Sequence, residues 1–336
     1  MRDIEAHIRK SLDLLFRHFG YRIMNDGDLY EWQKAPCTKT SQYRLSELPE
    51  DAASYLVINN PRLRDLQARY SAFNAEVTTP LQWTDTLVGH EDMLYFRGDN
   101  AYVYQVRRPS MNVMAYALAT YYVKSIDKFG LLEKLEEDNY FGIYSFVIDN
   151  RLVSRDLLDS ILEIYFLDTY LRISSQRNLS VVDIGAGYGR LAHRMVASLP
   201  NVAKYICTDA FPVSTFISEY YVRFRDLQGK ATVVPLDEIE HALESHPADI
   251  AVNIHSFSEC TILAIDWWLS LLARSGVKNL MIVPNSRELR TGDGTEFGNI
   301  IEKHGYKLIA KDPKYSDPVV QDYAINPSFY YLFELQ

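Results

Sequence analysis

The stretch VVDIGAGYGR, residues 181–190, runs from apolar residues through Asp183 into glycines at alternate positions. Gly185, Gly187 and Gly189 have no Cβ, so the chain there can pass through positive φ and let a ligand lie against the main chain. Residues 181–184 read as a buried strand and 191–199 as a helix. A strand, a glycine turn and a helix N-terminus in succession make a nucleotide site. The second informative stretch is ADIAVNIHSFSEC, residues 248–260. It reads as another strand, and its following loop offers Asn253, His255, Ser256, Ser258 and Glu259. In open α/β sheets, ligands and chemistry sit at the carboxyl ends of the strands. A hydroxyl is a poor nucleophile while protonated. An imidazole, with a reference pKa of ~6.5, is suited to take that proton at neutral pH, which makes His255 the candidate base.

The glycine pattern narrows the choice of nucleotide. A dinucleotide fingerprint, G-x-G-x-x-G/A, places a third small residue where helix and strand pack closely. Counted from Gly185 that place is Arg190. The pattern is instead D-x-G-x-G-x-G, with Asp183 two residues ahead. Asp209 ends the next apolar run, KYICTD, where a carboxylate can accept both hydroxyls of a ribose. NAD would be served equally well by that acid. Asp237, after the third run, reads either as an acceptor for an adenine amine or as the N-cap of a helix over 238–244. Asp183 reads either as a ligand contact or as a strand-end carboxylate satisfied by neighbouring amides. Its place beside the glycines favours the ligand.

These residues need a frame. From residue 178 onward, strand signals at 181–184, 204–208, 232–236, 250–254 and 279–283 alternate with helical segments at 191–199, 214–227, 238–244 and 261–273. That alternation implies a parallel sheet covered on both faces. Runs at 306–311 and 329–335 read as two closing strands that pair antiparallel at one side. SFSE, at 256–259, matches the S-x-x-E capping box, so Ser256 and Glu259 also read as the opening of the helix TILAIDWWLSLLARS. Trp267 and Trp268 then fall inside that helix, in the core. The loop after the fifth strand carries Asp293 and Glu296. These read either as turn and cap residues or as contacts to sugar hydroxyls or a divalent ion, though no acid pair has diagnostic metal spacing. The first ~150 residues lack the βα rhythm. A helix is expected over 1–20, a hairpin over 93–108 about Gly98-Asp99-Asn100, a helix from Pro109-Ser110 to 129, and another over 157–174.

Composition sets outer limits. The chain has 336 residues, 47% hydrophobic and 24% charged, enough for a large core and, by length, two domains. A net charge of −9 with no basic block argues against nucleic acid or an anionic membrane as partner. The three cysteines lack metal spacing, and no apolar run approaches the ~20 residues of a bilayer span. A cytoplasmic protein with reduced thiols is expected.

The D-x-G-x-G-x-G stretch resembles motif I of the class I S-adenosylmethionine (SAM) methyltransferases, over roughly 175–336. Together with NIHSFSEC…WW and GDGTEF, it is similar to the bacterial sugar O-methyltransferases of natural-product and surface-polysaccharide pathways. The resemblance implies an α/β Rossmann-like sheet at 175–336, mostly parallel with a closing antiparallel strand. A mainly helical region at 1–174 would serve as a cap over the acceptor. It implies SAM held by Asp183, Gly185, Ala186, Gly187, Gly189, Asp209, Ala210, Asp237 and Asn253. His255 and Glu259 would act in catalysis, and Ser256, Ser258, Asp293 and Glu296 would meet a sugar or glycoside acceptor, with no metal. A homodimer is allowed. Amino-methylating enzymes carry Asn/Asp-Pro-Pro-aromatic at this strand end. Asn253-Ile254-His255-Ser256 lacks the prolines, which argues against a nitrogen acceptor of that type. The rival readings are an O-methyltransferase of another small molecule, a nicotinamide-dependent oxidoreductase and a silent SAM-binding protein.

Overall fold

The computed structural model describes residues 46–79, 89–98 and 112–336, and besides them residues 11, 12, 15, 16, 18 and 19. In chain order its main elements begin with helix α1 (Pro61–Ala72), helix α2 (Val113–Ile126), strands β1 (Ser145–Ile148) and β2 (Arg151–Ser154), and helix α3 (Arg155–Leu171). Then follow β3 (Leu179–Ile184), α4 (Arg190–Ser198), β4 (Val202–Thr208), α5 (Pro212–Phe224), β5 (Ala231–Val233), α6 (Ile239–Ser245), β6 (Ile250–Ile254) and α7 (Ile262–Arg274). The chain closes with β7 (Asn279–Val283), α8 (Gly298–Lys303), β8 (Tyr306–Pro313), α9 (Pro318–Tyr323) and β9 (Phe329–Leu335).

Seven strands form one sheet in the order β5-β4-β3-β6-β7-β9-β8. The β3–β4, β3–β6, β4–β5 and β6–β7 pairs are parallel, and β9 runs antiparallel to both its neighbours. The mostly parallel α/β sheet with a closing antiparallel strand is therefore as the sequence implied. Burial on both faces explains the apolar strands. In β3, Val181 joins the core beneath α2, α3 and α4, whereas Val182 joins the core shared with α1, α5 and α7. Residues ahead of the sheet thus pack on both of its faces.

Several local expectations are corrected. Met93 and Leu94, expected in a hairpin strand, belong to a helical turn (His90–Leu94), and residues 99–111 lie outside the described residues, as does most of the expected helix 1–20. Among the described residues, β1 and β2 form a hairpin in which Asp149 and Asn150 take the two positive φ angles, 53° and 58°, of a tight two-residue turn. Pro109 and Ser110 are outside the described residues, and α2 is capped by Asn112, whose side chain accepts the N–H groups of Met114 and Ala115. The third strand of the βα series, β5, ends at Val233: the Val234 N–H still donates to the Cys207 carbonyl, but the next donor on that side, the Leu236 N–H, goes to the Tyr70 hydroxyl of α1. The capping box at Ser256 does not form. Residues Ser256–Glu259 make a turn of 3₁₀ helix, and Thr261 caps α7 by accepting from Ala264.

Candidate active site

The glycine turn links β3 to α4 at the carboxyl edge of the sheet. Gly185, Gly187 and Gly189 have φ of 72°, 57° and 87°. Gly185 is required by crowding as well, since a Cβ there would lie 2.2 Å from the Ser256 side chain. A Cβ on Gly187 would meet nothing within 4 Å, so this glycine leaves open space over the main chain. The turn is fastened to β4. The N–H groups of Gly185 and Ala186 both donate to the Thr208 carbonyl, at 2.9 and 3.1 Å. The Gly187 N–H donates to Asp209 Oδ2 at 3.1 Å, and Asp209 Oδ1 accepts the Phe211 N–H at 2.9 Å. Burial pushes the Asp209 carboxyl up to about 7 against those two amides. Asp183 is buried deeper. Burial lifts it to about 7 as well, and the Tyr205 hydroxyl that donates to it at 2.9 Å works the other way.

At the end of β6 the chain turns through His255, a non-glycine residue at φ 69°. Such a conformation persists only where the surroundings enforce it, and it recurs at functional sites. Here the His255 N–H donates to the Val283 carbonyl at 2.7 Å, and its own carbonyl accepts the Ser258 N–H at 3.0 Å. The imidazole Nδ1 is buried and has no hydrogen-bond partner. Desolvation, and after it the Arg155, Arg190 and Lys314 cations, lower the ring pKa to about 3, with Asp159 opposing. The ring therefore keeps its lone pair throughout the neutral range.

The other expected residues fall in different surroundings. Asn253 is fully buried and bridges strand ends: its Nδ2 donates to the Ile184 carbonyl at 2.9 Å, and its Oδ1 accepts the Phe257 N–H at 2.8 Å. Asp237 is neither N-cap nor open acceptor. Arg69 of α1 grips it through two bonds of 2.8 Å. Ser256 packs against Gly185, and Ser258 accepts the Asn285 N–H at 3.0 Å. Glu259 accepts from the Asn285 side chain at 3.2 Å and raises Asp209 further. Ala210 lies beside Asp209 at the same strand end. The Asp293 carboxylate serves its own turn, taking the Thr291 hydroxyl and the Thr295 N–H, and exposed Glu296 pairs with Arg290. The Gly292 N–H donates to the Ser258 carbonyl, which holds this turn at the rim.

Sequence reasoning missed a buried charged cluster on α3, whose Arg155 and Asp159 act electrostatically on His255. Three acids of α3, namely Asp156, Asp159 and Glu163, are no more than 4% exposed. Their spacing of three and four residues puts them on one helical face. Arg190 reaches Glu163 through two bonds of 2.8 and 2.9 Å, Lys314 and Arg155 pair with Asp159, and the Tyr188 hydroxyl donates to Asp156. The signal was available. Carboxylates recur on the buried stripe of LLDSILEIYFLDTYLRIS, where an apolar helix has no use for them.

No family model matches the chain. Over 71 residues it is 34% identical to release factor glutamine methyltransferase of Flavobacterium psychrophilum, a match that covers 21% of this chain and 25% of that protein. The chain thus spans about a quarter of the length of the curated relative it matches. Among solved structures it is similar to a SAM-dependent methyltransferase from Aquifex aeolicus (16% identity, 53% of this chain and 93% of that one, TM-score 0.40). It is also similar to magnesium protoporphyrin IX methyltransferase from Synechocystis PCC 6803 with bound SAM (10% identity, 66% and 97%, TM-score 0.39). These are likenesses of fold. Among the described residues no helix is long and apolar enough to cross a membrane.

Proposed function

We propose that the chain is a SAM-dependent O-methyltransferase acting on a sugar hydroxyl. The observation that carries the reading is the junction of Asp209 with the glycine turn: a carboxylate at the end of β4 stands beside Gly187, whose main chain is open. The turn amides of Gly185, Ala186 and Gly187 are committed to Thr208 and Asp209. They are therefore not arranged to receive the pyrophosphate of a dinucleotide, which needs free N–H groups at the turn. Arg190, in the third-glycine place, is paired with Glu163. Both points weigh against the oxidoreductase.

SAM would lie over Gly185–Gly189 with its ribose on Asp209 and its adenine bordered by Leu236 and Asp237. Bound there, it supplies an electrophilic methyl group. The chain has three tasks: to hold an acceptor oxygen in line, to keep water out, and to take a proton. Alignment alone can lower the barrier by several kcal/mol. His255 would take the proton at a ring nitrogen, as a weaker base than a free imidazole because burial lowers its pKa to about 3, and Glu259 lies four residues further along the same loop. Residues ahead of 175 would cap the acceptor.

The similarity to a glutamine methyltransferase favours a second reading, a nitrogen acceptor. It is weakened by the missing prolines after Asn253 and by the engagement of both ends of that carboxamide with backbone. The test has two stages. Calorimetry should show SAM binding that Asp209→Asn weakens. Mass spectrometry after incubation with SAM and nucleotide-linked sugars, glycosylated natural products or oligosaccharides should then show one added methylene, absent with His255→Ala. Methylation of a peptide glutamine in place of any sugar would sink the sugar reading.

A further inference from the structure

Helix α1 belongs to the part of the chain that precedes the βα series, yet it reaches the carboxyl edge of the sheet. Asn60 starts the helix by accepting the Arg62 N–H, with Pro61 in its first turn. Leu63, Leu66 and Tyr70 fall on its buried face. Arg62 and Arg69 stand seven residues apart, two turns along one stripe. Arg62 grips Glu219 of α5 through bonds of 3.0 and 2.6 Å. Arg69 grips Asp237 through two bonds of 2.8 Å and also pairs with Glu238 and Asp65.

Tyr70, beside Arg69, is buried. Its hydroxyl accepts the Leu236 N–H at 2.8 Å and meets Thr215 Oγ1 at 2.8 Å. With that oxygen accepting from Leu236, the hydroxyl hydrogen is left for Thr215, whose own hydroxyl lies 3.5 Å from the Asp209 carbonyl. Beyond α1 the chain makes a helical turn (Ala75–Thr78). There the Glu76 carbonyl accepts the Thr261 hydroxyl at 3.3 Å, and the Phe73 ring meets Trp267 edge-on. Residues 62–76 are thus tied to the segments that follow β4, β5 and β6. Ligands of open α/β sheets bind at such strand ends.

The grip on Asp237 does not exhaust it. A carboxylate offers about four lone-pair sites, and the Arg69 fork takes one on each oxygen. Acceptor capacity remains, on an anion whose plane and direction the bidentate contact fixes.

We propose that Arg69 and Tyr70 are positioning residues of the cofactor site, and that through Asp237 and Leu236 they make it select adenine by its exocyclic amine. This rests on the reading of the site as one for SAM, and it gives α1 a part in holding the cofactor. An amine donates to the carboxylate. Hypoxanthine presents a carbonyl oxygen at the same place, which the carboxylate repels.

The test is calorimetric titration of the full-length chain with SAM, S-adenosylhomocysteine and S-inosylhomocysteine, the last carrying an oxo group in place of the amine. Wild type should bind S-adenosylhomocysteine at least about tenfold more tightly than the inosine form, the value of a hydrogen bond to a charged group. Arg69→Met keeps the apolar stem and removes the fork. It should weaken S-adenosylhomocysteine about tenfold and leave S-inosylhomocysteine within about twofold, so that the preference largely disappears. Arg69→Lys, a point charge without the fork, should restore the preference only in part. Tyr70→Phe, which deletes only the hydroxyl, should narrow it in the same direction. Arg62→Met breaks the other arginine contact of α1, so it should lower the melting temperature and leave the preference as in wild type. No preference in wild type, a preference unchanged in the Arg69 and Tyr70 variants, a loss shared equally by the two ligands, or tighter SAM binding in Arg69→Met would overturn the proposal. Failure of wild type to bind either SAM or S-adenosylhomocysteine would instead remove the methyltransferase reading on which it rests.

Discussion

Asp209 and Gly187 are joined by one hydrogen bond, 3.1 Å from the glycine N–H to the carboxylate. That bond fixes the end of the second strand of the βα series against the turn after the first. It also places an acid of unusual proton affinity where a ribose is proposed to sit. Burial raises the carboxyl to about 7, with the Phe211 and Gly187 amides opposing.

The first prediction concerns pH. An ionised Asp209 accepts hydroxyl hydrogens, whereas a protonated one offers less. Affinity for SAM should therefore rise with pH up to about 7, then level off, and fall about tenfold per unit below it. Asp209→Asn should flatten that profile and weaken binding roughly 10- to 100-fold, the value of charge-assisted bonds of about 1.5–3 kcal/mol. Calorimetric titrations from pH 5.5 to 8.5 measure both. A wild-type affinity independent of pH would remove Asp209 from the cofactor site.

The glycines separate packing from binding. In Gly185→Ala the new methyl meets Ser256 at 2.2 Å on a backbone at φ 72°. Left-handed strain and overpacking together should cost roughly 2–4 kcal/mol, a melting temperature lower by roughly 3–6 °C for a chain of this length. Adding Ser256→Gly should return the overpacking part only. Gly187→Ala shares the positive φ but faces open space, so it should cost about 1–2 kcal/mol and chiefly impair SAM binding. Equal thermal losses for the two single variants would contradict the contact with Ser256.

The glycine turn, the strand positions and the antiparallel closure were legible in the sequence because each rests on local rules: apolar runs, turn residues and period. β6, β7 and β9 match the expected spans residue for residue. The roles of Asn253 and Asp237 were not legible. Asn253 meets Ile184, 69 residues away, and Asp237 meets Arg69, 168 residues away. No local rule reports such pairings. Thr261 displaced the capping box at Ser256 for a related reason, since the Ser256 side chain lies against Gly185, 71 residues away, at the ends of the neighbouring parallel strands β6 and β3. The α3 acids were visible as an anomaly on a buried stripe, but their partners Arg190 and Lys314 lie in distant segments.

His255 should not set the acid limb of catalysis. Burial, then Arg155, Arg190 and Lys314, lower its pKa to about 3, so it stays unprotonated through the range in which Asp209 titrates. Rate profiles for wild type should therefore bend near pH 7, and Asp209→Asn should remove the bend. Stability follows the opposite rule to a salt-bridged histidine. The folded pKa lies below the unfolded value of ~6.5, so the unfolded chain takes up the proton first as pH falls. The wild-type fold is hence penalised progressively from about 6.5 toward 3, and His255→Asn should lose that slope in acid melts.

The last prediction tests the deepest ion network. Glu137 is fully buried between Arg97 and Arg194, at 2.6 and 2.8 Å, and neither arginine is more than 2% exposed. Burial pushes its carboxyl up, but Arg194 and Arg97 outweigh this and hold it well below the usual carboxylate range. Replacing it by glutamine keeps the shape and strands two guanidinium groups, of which Arg97 retains Asp138 and Arg194 retains only the Glu136 carbonyl. Removing one partner of a buried pair costs about 3–5 kcal/mol because the other charge cannot be neutralised. Glu137→Gln should therefore melt roughly 4–7 °C lower at pH 7. The sign with pH is fixed too. A depressed folded pKa gives stability that is present above about 4 and lost below it, so the gap between wild type and variant should close in acid. A gap that widens on acidification would show that Glu137 is not the counter-ion that holds these arginines.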